Sequence, residues 1–104
     1  MEIGLFQLEN LVLTRAQFLF LDLRAIAEAL GNPTLQATLT TAVHVPPEKI
    51  ETYLNSAKVA KEFPVILLCK DGRASHTAAQ RLESLGYGNI YVVRGGTEGL
   101  LSEP

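Results

Sequence analysis

Three short, uninterrupted apolar runs constrain the fold of this 104-residue chain more than any other feature of its sequence. They cover residues 18–21, 65–68 and 90–93. Strands of a parallel sheet are buried on both faces, so they show continuous apolar runs rather than an alternation of apolar and polar residues. The three runs therefore predict the central strands of a small parallel sheet.

The segments between these runs have helical patterns. Apolar residues recur at helical spacing in residues 5–12 and 75–85, and Gly86 suits the left-handed cap of the second helix. A third apolar stripe follows Pro47, a residue favoured in the first helical turn, and we expect this helix to end near Phe63. Helices thus alternate with strands along the chain.

Shorter segments fit the same plan. Residues 25–30 predict a short helix that stops at Gly31-Asn32-Pro33, and residues 34–41 predict a threonine-rich loop. Residues 42–45 then predict a buried strand that Pro46 ends. The alternation predicts an α/β fold, a parallel sheet with helices on both faces, formed by one domain over residues 1–104.

The charge balance restricts the partners of the chain. A formal net charge of -2 and a pI near 5.6 offer no basic surface for nucleic acid or anionic membranes. No apolar stretch is long enough to span a membrane, and Met1-Glu2-Ile3-Gly4 lacks the basic start of a signal peptide. We therefore expect a cytoplasmic protein that interacts with small molecules or proteins.

Cys69 is the residue that is best suited to a chemical role. It is the only cysteine, so it forms neither an internal disulfide nor a cysteine zinc site. It follows the second apolar run, and ligands of parallel sheets bind at the carboxyl ends of strands. Backbone N–H groups of the next turn and helix would stabilise a thiolate, a persulfide or a substrate oxyanion there. Alternatively, Cys69 is a small buried hydrophobic residue without a chemical role.

Five segments of the chain resemble, in order, the motifs of the rhodanese family of sulfurtransferases. They are Asp22-Leu23-Arg24, Ala42-Val43-His44-Val45-Pro46, Cys69-Lys70-Asp71-Gly72-Arg73-Ala74-Ser75, Gly86-Tyr87 with Asn89-Ile90-Tyr91, and Gly95-Gly96. The third is similar to the family's active-site loop, which has a cysteine first and a glycine fourth. The resemblance covers about residues 4 to 100.

This resemblance implies a small three-layer α/β fold in which Cys69 carries sulfane sulfur as a persulfide. Residues 70–75 would form the loop that binds substrate or anion, and Asp22 and Arg24 would support it or form a purely structural ion pair. The sulfur would come from thiosulfate or a persulfide and go to a thiol or cyanide. A sulfur-relay protein is a possible partner, and neither a metal nor an organic cofactor is implied.

The sequence also departs from the family pattern. Residues 38–41 replace the usual Gly-His-Ile-x-Gly run, and Leu100 stands where many members have tryptophan. Ala74 replaces an arginine or hydroxyl residue, for which Arg73 is a candidate substitute. These departures leave open a catalytically weak or inactive binding module. A phosphatase of the Cys-x5-Arg type is disfavoured, because Ser75 stands six places after the cysteine.

The two histidines are not expected to take part in sulfur transfer. His44 lies in a predicted buried strand, where a core or edge role is the more common one, and His76 lies in the first turn of the helix after Cys69. Sulfur transfer through a cysteine persulfide needs neither side chain.

Overall fold

A computed structural model of the chain describes residues 2–13, 17–24 and 42–102. Its elements are β1 (Glu2–Ile3), α1 (Leu5–Leu13), β2 (Leu19–Asp22), β3 (Val43–His44), a 3₁₀ turn (Pro47–Lys49), α2 (Ile50–Ser56), β4 (Val65–Leu68), α3 (Arg73–Ser84), β5 (Ile90–Val93) and α4 (Gly96–Ser102). All three predicted central strands are present. The predicted helix over 25–30, its stop at residues 31–33 and the loop over 34–41 lie outside the described residues.

The five strands form one parallel sheet in the order β1-β5-β4-β2-β3. Strand β4 is central: its Leu67 pairs with Leu21 of β2 on one side and with Val92 of β5 on the other. All four residues of β4 are buried, which explains why its sequence is an uninterrupted apolar run. Because the strands are parallel, their carboxyl ends all lie on the same side of the sheet. Cys69 directly follows β4 and therefore lies in the middle of that side.

Helices cover both faces of the sheet, and side chains of β4 point alternately to each face. Leu8 of α1 and Leu100 of α4 pack on one face, in a cluster that contains Ile66 and Leu68. Helices α2 and α3 pack on the other face, where their buried residues join the strand residues of a second cluster: Leu21, Ile50, Leu54, Val65, Leu67, Ala79, Leu82 and Val92. The predicted three-layer α/β architecture is confirmed.

Three details differ from the predictions. His44 lies exposed in the short edge strand β3 rather than in a buried strand. Helix α2 ends at Ser56 rather than near Phe63, because Lys58 takes a left-handed conformation with φ of 54° that ends the helical path. Helix α3 begins at Arg73, two residues before the expected start at Ser75, because the turn after Cys69 leads directly into the helix.

Two elements were not predicted. Strand β1 has two residues, too few to show a pattern, and it pairs with β5 at the edge of the sheet. Helix α4 begins at Gly96 and contains a second glycine, a composition that disfavours helix on its own. Within the described residues, no helix combines the length and apolarity needed to cross a membrane. The cytoplasmic location and the single domain over 1–104 stay predictions.

Candidate active site

Cys69 lies at the end of the central strand, enclosed by the turn that follows it. The residue is only 4% exposed. The turn brings the backbone of Gly72 back toward it, and the Gly72 N–H donates a hydrogen bond to Cys69 Sγ over 3.0 Å. Gly72 has a φ of 94°, a left-handed conformation that glycine adopts without the steric cost other residues incur. Several backbone N–H groups were expected at the sulfur; in the described residues the Gly72 N–H bonds to it, whereas the Arg73 N–H donates to Asp71 Oδ1.

Helix α4 holds the backbone of the Cys69 turn from the other side. The N–H of Thr97 donates to the carbonyl oxygen of Cys69 over 2.9 Å, and the N–H of Glu98 donates to that of Lys70 over 2.9 Å. The Thr97 hydroxyl also donates to the Lys70 carbonyl over 3.3 Å. The carbonyl oxygens of the turn thus satisfy the free N–H groups of a helix N-terminus, while the Gly72 N–H points at the sulfur.

Gly96 allows this close approach. It has a φ of 62°, and a Cβ atom on it would overlap with the Cys69 carbonyl oxygen and lie 2.6 Å from the Lys70 carbonyl oxygen. From the sequence, Gly95-Gly96 was of interest only because it resembles a motif of the rhodanese family. The structure gives Gly96 a physical role, since the absence of a side chain there lets α4 contact the backbone of the turn that follows Cys69. The roles of Thr97 and Glu98 were not predicted, because backbone donors leave no side-chain signature.

The charged residues of the turn are arranged around its outer surface. Asp71 Oδ1 accepts a hydrogen bond from the Arg73 N–H over 3.0 Å, and its Oδ2 lies 3.5 Å from Arg73 Nε. The Arg73 side chain is 92% exposed and Lys70 is exposed as well. Arg73 therefore extends into solvent beside Asp71, and the expectation that it substitutes for the family's loop arginine gains no support from this geometry.

The last two residues of the predicted loop belong to the first turn of α3. Ala74 is partly buried and packs against the cluster that includes Cys69. Ser75 is completely buried, and its hydroxyl has no hydrogen-bond partner among the described residues. Within residues 70–75, the backbone of Gly72 thus bonds the sulfur and Ala74 packs against its cluster, whereas the side chains of Lys70, Asp71 and Arg73 are exposed.

Asp22 and Arg24 form a buried ion pair at the end of the neighbouring strand. Both oxygens of Asp22 accept from Arg24, with the shortest contact 2.7 Å between Oδ2 and Nη2. Their side chains are 6% and 9% exposed. The Leu23 N–H donates to the Leu68 carbonyl over 2.7 Å, which fixes this segment beside the strand that carries Cys69. His44 bonds the Arg24 carbonyl oxygen, so its role here is structural.

His76 lies apart from the sulfur, on the exposed side of α3. Its Nε2 is 3.0 Å from Glu2 Oε2, and both side chains are about half exposed. This contact joins α3 to β1. Within the described residues, no three His, Cys, Asp or Glu side chains lie close enough together to hold a metal ion.

Comparisons with known proteins agree with this architecture. The family model of the rhodanese-like domain matches residues 7–103. The chain is 33% identical over 63 residues to the thiosulfate sulfurtransferase GlpE of Tolumonas auensis, and 35% identical over 60 residues to that of Coxiella burnetii. These matches cover 61% and 58% of the chain. The chain matches 58% and 54% of the lengths of these two relatives.

Solved structures show the same fold. A rhodanese homologue of Thermus thermophilus, TT1651, superposes with a TM-score of 0.66 at 27% identity, covering 96% of this chain and 100% of its own. The human single-domain sulfurtransferase TSTD1 superposes with a TM-score of 0.73 at 21% identity, covering 99% of this chain and 96% of its own. With its central cysteine, its glycine-containing turn and its covered parallel sheet, the chain belongs to the rhodanese-like (sulfurtransferase) family.

Proposed function

We propose that this protein is a rhodanese-type sulfurtransferase that carries sulfane sulfur as a persulfide on Cys69. The donor is thiosulfate or a persulfide, either of low molecular weight or on a relay protein, and the acceptor is a thiol or cyanide. The observation that supports the proposal most is the hydrogen bond from the Gly72 N–H to Cys69 Sγ. A donor at this position stabilises the Cys69 thiolate, both when it attacks the sulfur donor and when it leaves after transfer to the acceptor.

The reaction has two displacement steps. In the first, the Cys69 thiolate attacks the outer sulfur of the donor, a new S–S bond forms, and the donor's own S–S bond breaks. Sulfite leaves when the donor is thiosulfate, and a thiolate leaves when the donor is a persulfide. In the second step, an acceptor thiolate or cyanide attacks the outer sulfur on Cys69, and the Cys69 thiolate leaves. Neither step needs a metal or an external oxidant.

The buried backbone of the turn supports this cycle. The Thr97 and Glu98 N–H groups donate to the carbonyl oxygens of Cys69 and Lys70, and these two hydrogen bonds fix the backbone of the turn. A turn fixed in this way presents the Gly72 N–H to the Cys69 thiolate without reorganisation during the reaction. Lys70 adds an exposed positive charge at the rim for an anionic donor.

Intact mass spectrometry tests the proposal directly. We expect incubation with thiosulfate, methanethiosulfonate or inorganic polysulfide to add one sulfur atom to the wild-type protein. Cyanide should remove this sulfur and release thiocyanate. The Cys69→Ser variant should accept no sulfur from any donor, and it serves as the matched control because the two side chains differ by one atom.

A binding module is the second candidate, and the low exposure of Cys69 favours it. A sulfur atom enclosed by its own turn is protected from donors as well as from water. If the wild-type protein stays unmodified with all three donors, the sulfurtransferase proposal is wrong and the rhodanese-like fold serves in binding or regulation.

A further inference from the structure

The turn that follows Cys69 carries charged side chains of both signs. Three charged residues, Lys70, Asp71 and Arg73, lie within the four positions after Cys69, and Arg73 is the first residue of α3. Two are positive and one is negative. The negative one, Asp71, lies at the N-terminus of α3, where its carboxylate accepts the N–H of Arg73. A helix N-terminus carries partial positive charge that would otherwise act on a bound anion.

The carboxylate lies near the reacting sulfur. Gly72 N and Arg73 N are consecutive backbone nitrogens, one 3.0 Å from Cys69 Sγ and the other 3.0 Å from Asp71 Oδ1. Since consecutive nitrogens are roughly 3 Å apart, the sulfur and this oxygen are separated by no more than about 9 Å. Such a distance is within one screening length of about 10 Å at 0.1 M salt. The two groups therefore interact electrostatically.

Asp71 opposes an incoming dianion in three ways. It repels the donor directly, it occupies the Arg73 N–H, and it lies 3.5 Å from Arg73 Nε, which offsets the charge of the guanidinium. The strength of the repulsion is proportional to the charge of the donor. A doubly charged donor such as thiosulfate therefore meets twice the penalty of a singly charged donor of the same shape.

We infer that Asp71 determines donor specificity and selects against dianionic donors, so that Cys69 receives its sulfur from organic donors with at most one negative charge. Persulfides and organic thiosulfonates belong to this class. This inference rests on the proposed sulfurtransferase function and names its substrate class. It sets the chain apart from the relatives that are named thiosulfate sulfurtransferases.

The chemistry of the loading step is the same for either donor class. With thiosulfate, the Cys69 thiolate takes the outer sulfur and sulfite leaves with two negative charges. With a thiosulfonate, R–SO₂–S⁻, the thiolate takes the outer sulfur and a sulfinate leaves with one. With a persulfide, R–S–SH, a thiolate leaves. In each case one S–S bond forms as another breaks, and no oxidant is consumed.

The test compares thiosulfate with methanethiosulfonate, in which a methyl group replaces one charged oxygen. The second-order rate constant for loading Cys69 is measured by intact mass for the wild type and for Asp71→Asn. The asparagine keeps an oxygen to accept the Arg73 N–H and removes only the charge. At low ionic strength, we expect Asp71→Asn to raise the loading rate constant about tenfold with thiosulfate and about threefold with methanethiosulfonate. In about 1 M salt, both ratios of variant to wild type should fall toward one.

Glu83→Gln is the matched control, because it removes the same charge near the far end of α3. Glu83 lies ten residues after Arg73, which is roughly 15 Å along the helix axis. This control should leave both rate constants unchanged. If Asp71→Asn changes the rate constant equally for the two donors, or if salt does not reduce the change, then Asp71 shapes the turn. Either result would overturn this inference and leave the proposed function standing. Absence of loading in every variant would overturn the inference together with the proposed function.

Discussion

Ser75, in the first turn of α3, has a buried side chain whose polar atom is unpaired within the described residues. It lies on the same face of α3 as Ala79 and Leu82, and this face packs against the sheet. Its side chain is completely buried, and the hydroxyl has no hydrogen-bond partner in the part of the chain that the structure describes. A buried, unpaired hydroxyl costs about 1–3 kcal/mol relative to one that is paired.

We therefore expect Ser75→Ala to raise the free energy of unfolding by about 1 kcal/mol. Urea denaturation measures this change. Ser84→Ala is the control, since the Ser84 hydroxyl is exposed and donates to the Arg81 carbonyl over 2.6 Å. The control should change stability by no more than about 0.5 kcal/mol. A loss of stability in Ser75→Ala would mean that the hydroxyl has a partner. A gain in stability with slower loading of Cys69 would instead assign the hydroxyl to the bound sulfur.

At the scale of elements, the cysteine turn and helix α4 depend on each other. The first residues of α4 are poor helix formers, and the carbonyl oxygens of Cys69 and Lys70 cap two of the helix's free N–H groups. The same contacts hold the turn in the shape that directs the Gly72 N–H at the sulfur. The contact requires Gly96, because any side chain there would collide with the backbone of the turn.

We expect Gly96→Ala to lower both stability and the rate of sulfur loading. The loss in unfolding free energy should exceed about 3 kcal/mol, since backbone strain at positive φ adds about 1–2 kcal/mol to a collision with backbone atoms. Gly86→Ala is the matched control, because Gly86 also has a positive φ, of 99°, but open space around its Cα. Gly86→Ala should lose only the stability that backbone strain costs, and it should load sulfur at the wild-type rate. Equal effects of the two substitutions would contradict a special role for Gly96.

The elements that could be predicted from the sequence are those whose own residues determine them. Strands β4 and β5 are apolar runs because they are buried on both faces, and burial leaves a clear pattern. Strand β1 and helix α4 owe their structure to other segments, β5 and the cysteine turn respectively. Short elements that are stabilised by distant contacts carry no local pattern, so a single sequence does not reveal them.

The same distinction applies to the candidate site. The position of Cys69 and the need for glycine at position 72 follow from the strand and the turn that contain them. The pairing of Asp71 with the Arg73 backbone depends on the exact path of the turn, and so does the complete burial of Ser75. Side-chain partners within a short turn are decided by distances of a few ångströms, which a pattern of residue types does not specify.

At the scale of the whole molecule, one strand joins two hydrophobic clusters. Leu67 of β4 belongs to the cluster under α2 and α3, and Leu68 belongs to the cluster under α1 and α4. Because consecutive side chains of a strand point to opposite faces, neither cluster can lose its packing on β4 without exposing the backbone that supports the other. We therefore expect the two faces to unfold together, as small domains usually do.

Leu8→Ala and Leu54→Ala test this coupling. Each leucine is completely buried, Leu8 in the cluster under α1 and α4 and Leu54 in the other. Each substitution should lower the free energy of unfolding by about 2–5 kcal/mol, and the two losses should add because the sheet separates the sites. Both variants should unfold in a single transition at the same urea concentration by circular dichroism and by tyrosine fluorescence. Two separate transitions in either variant would show that the faces of the sheet are independent folding units and that β4 does not couple them.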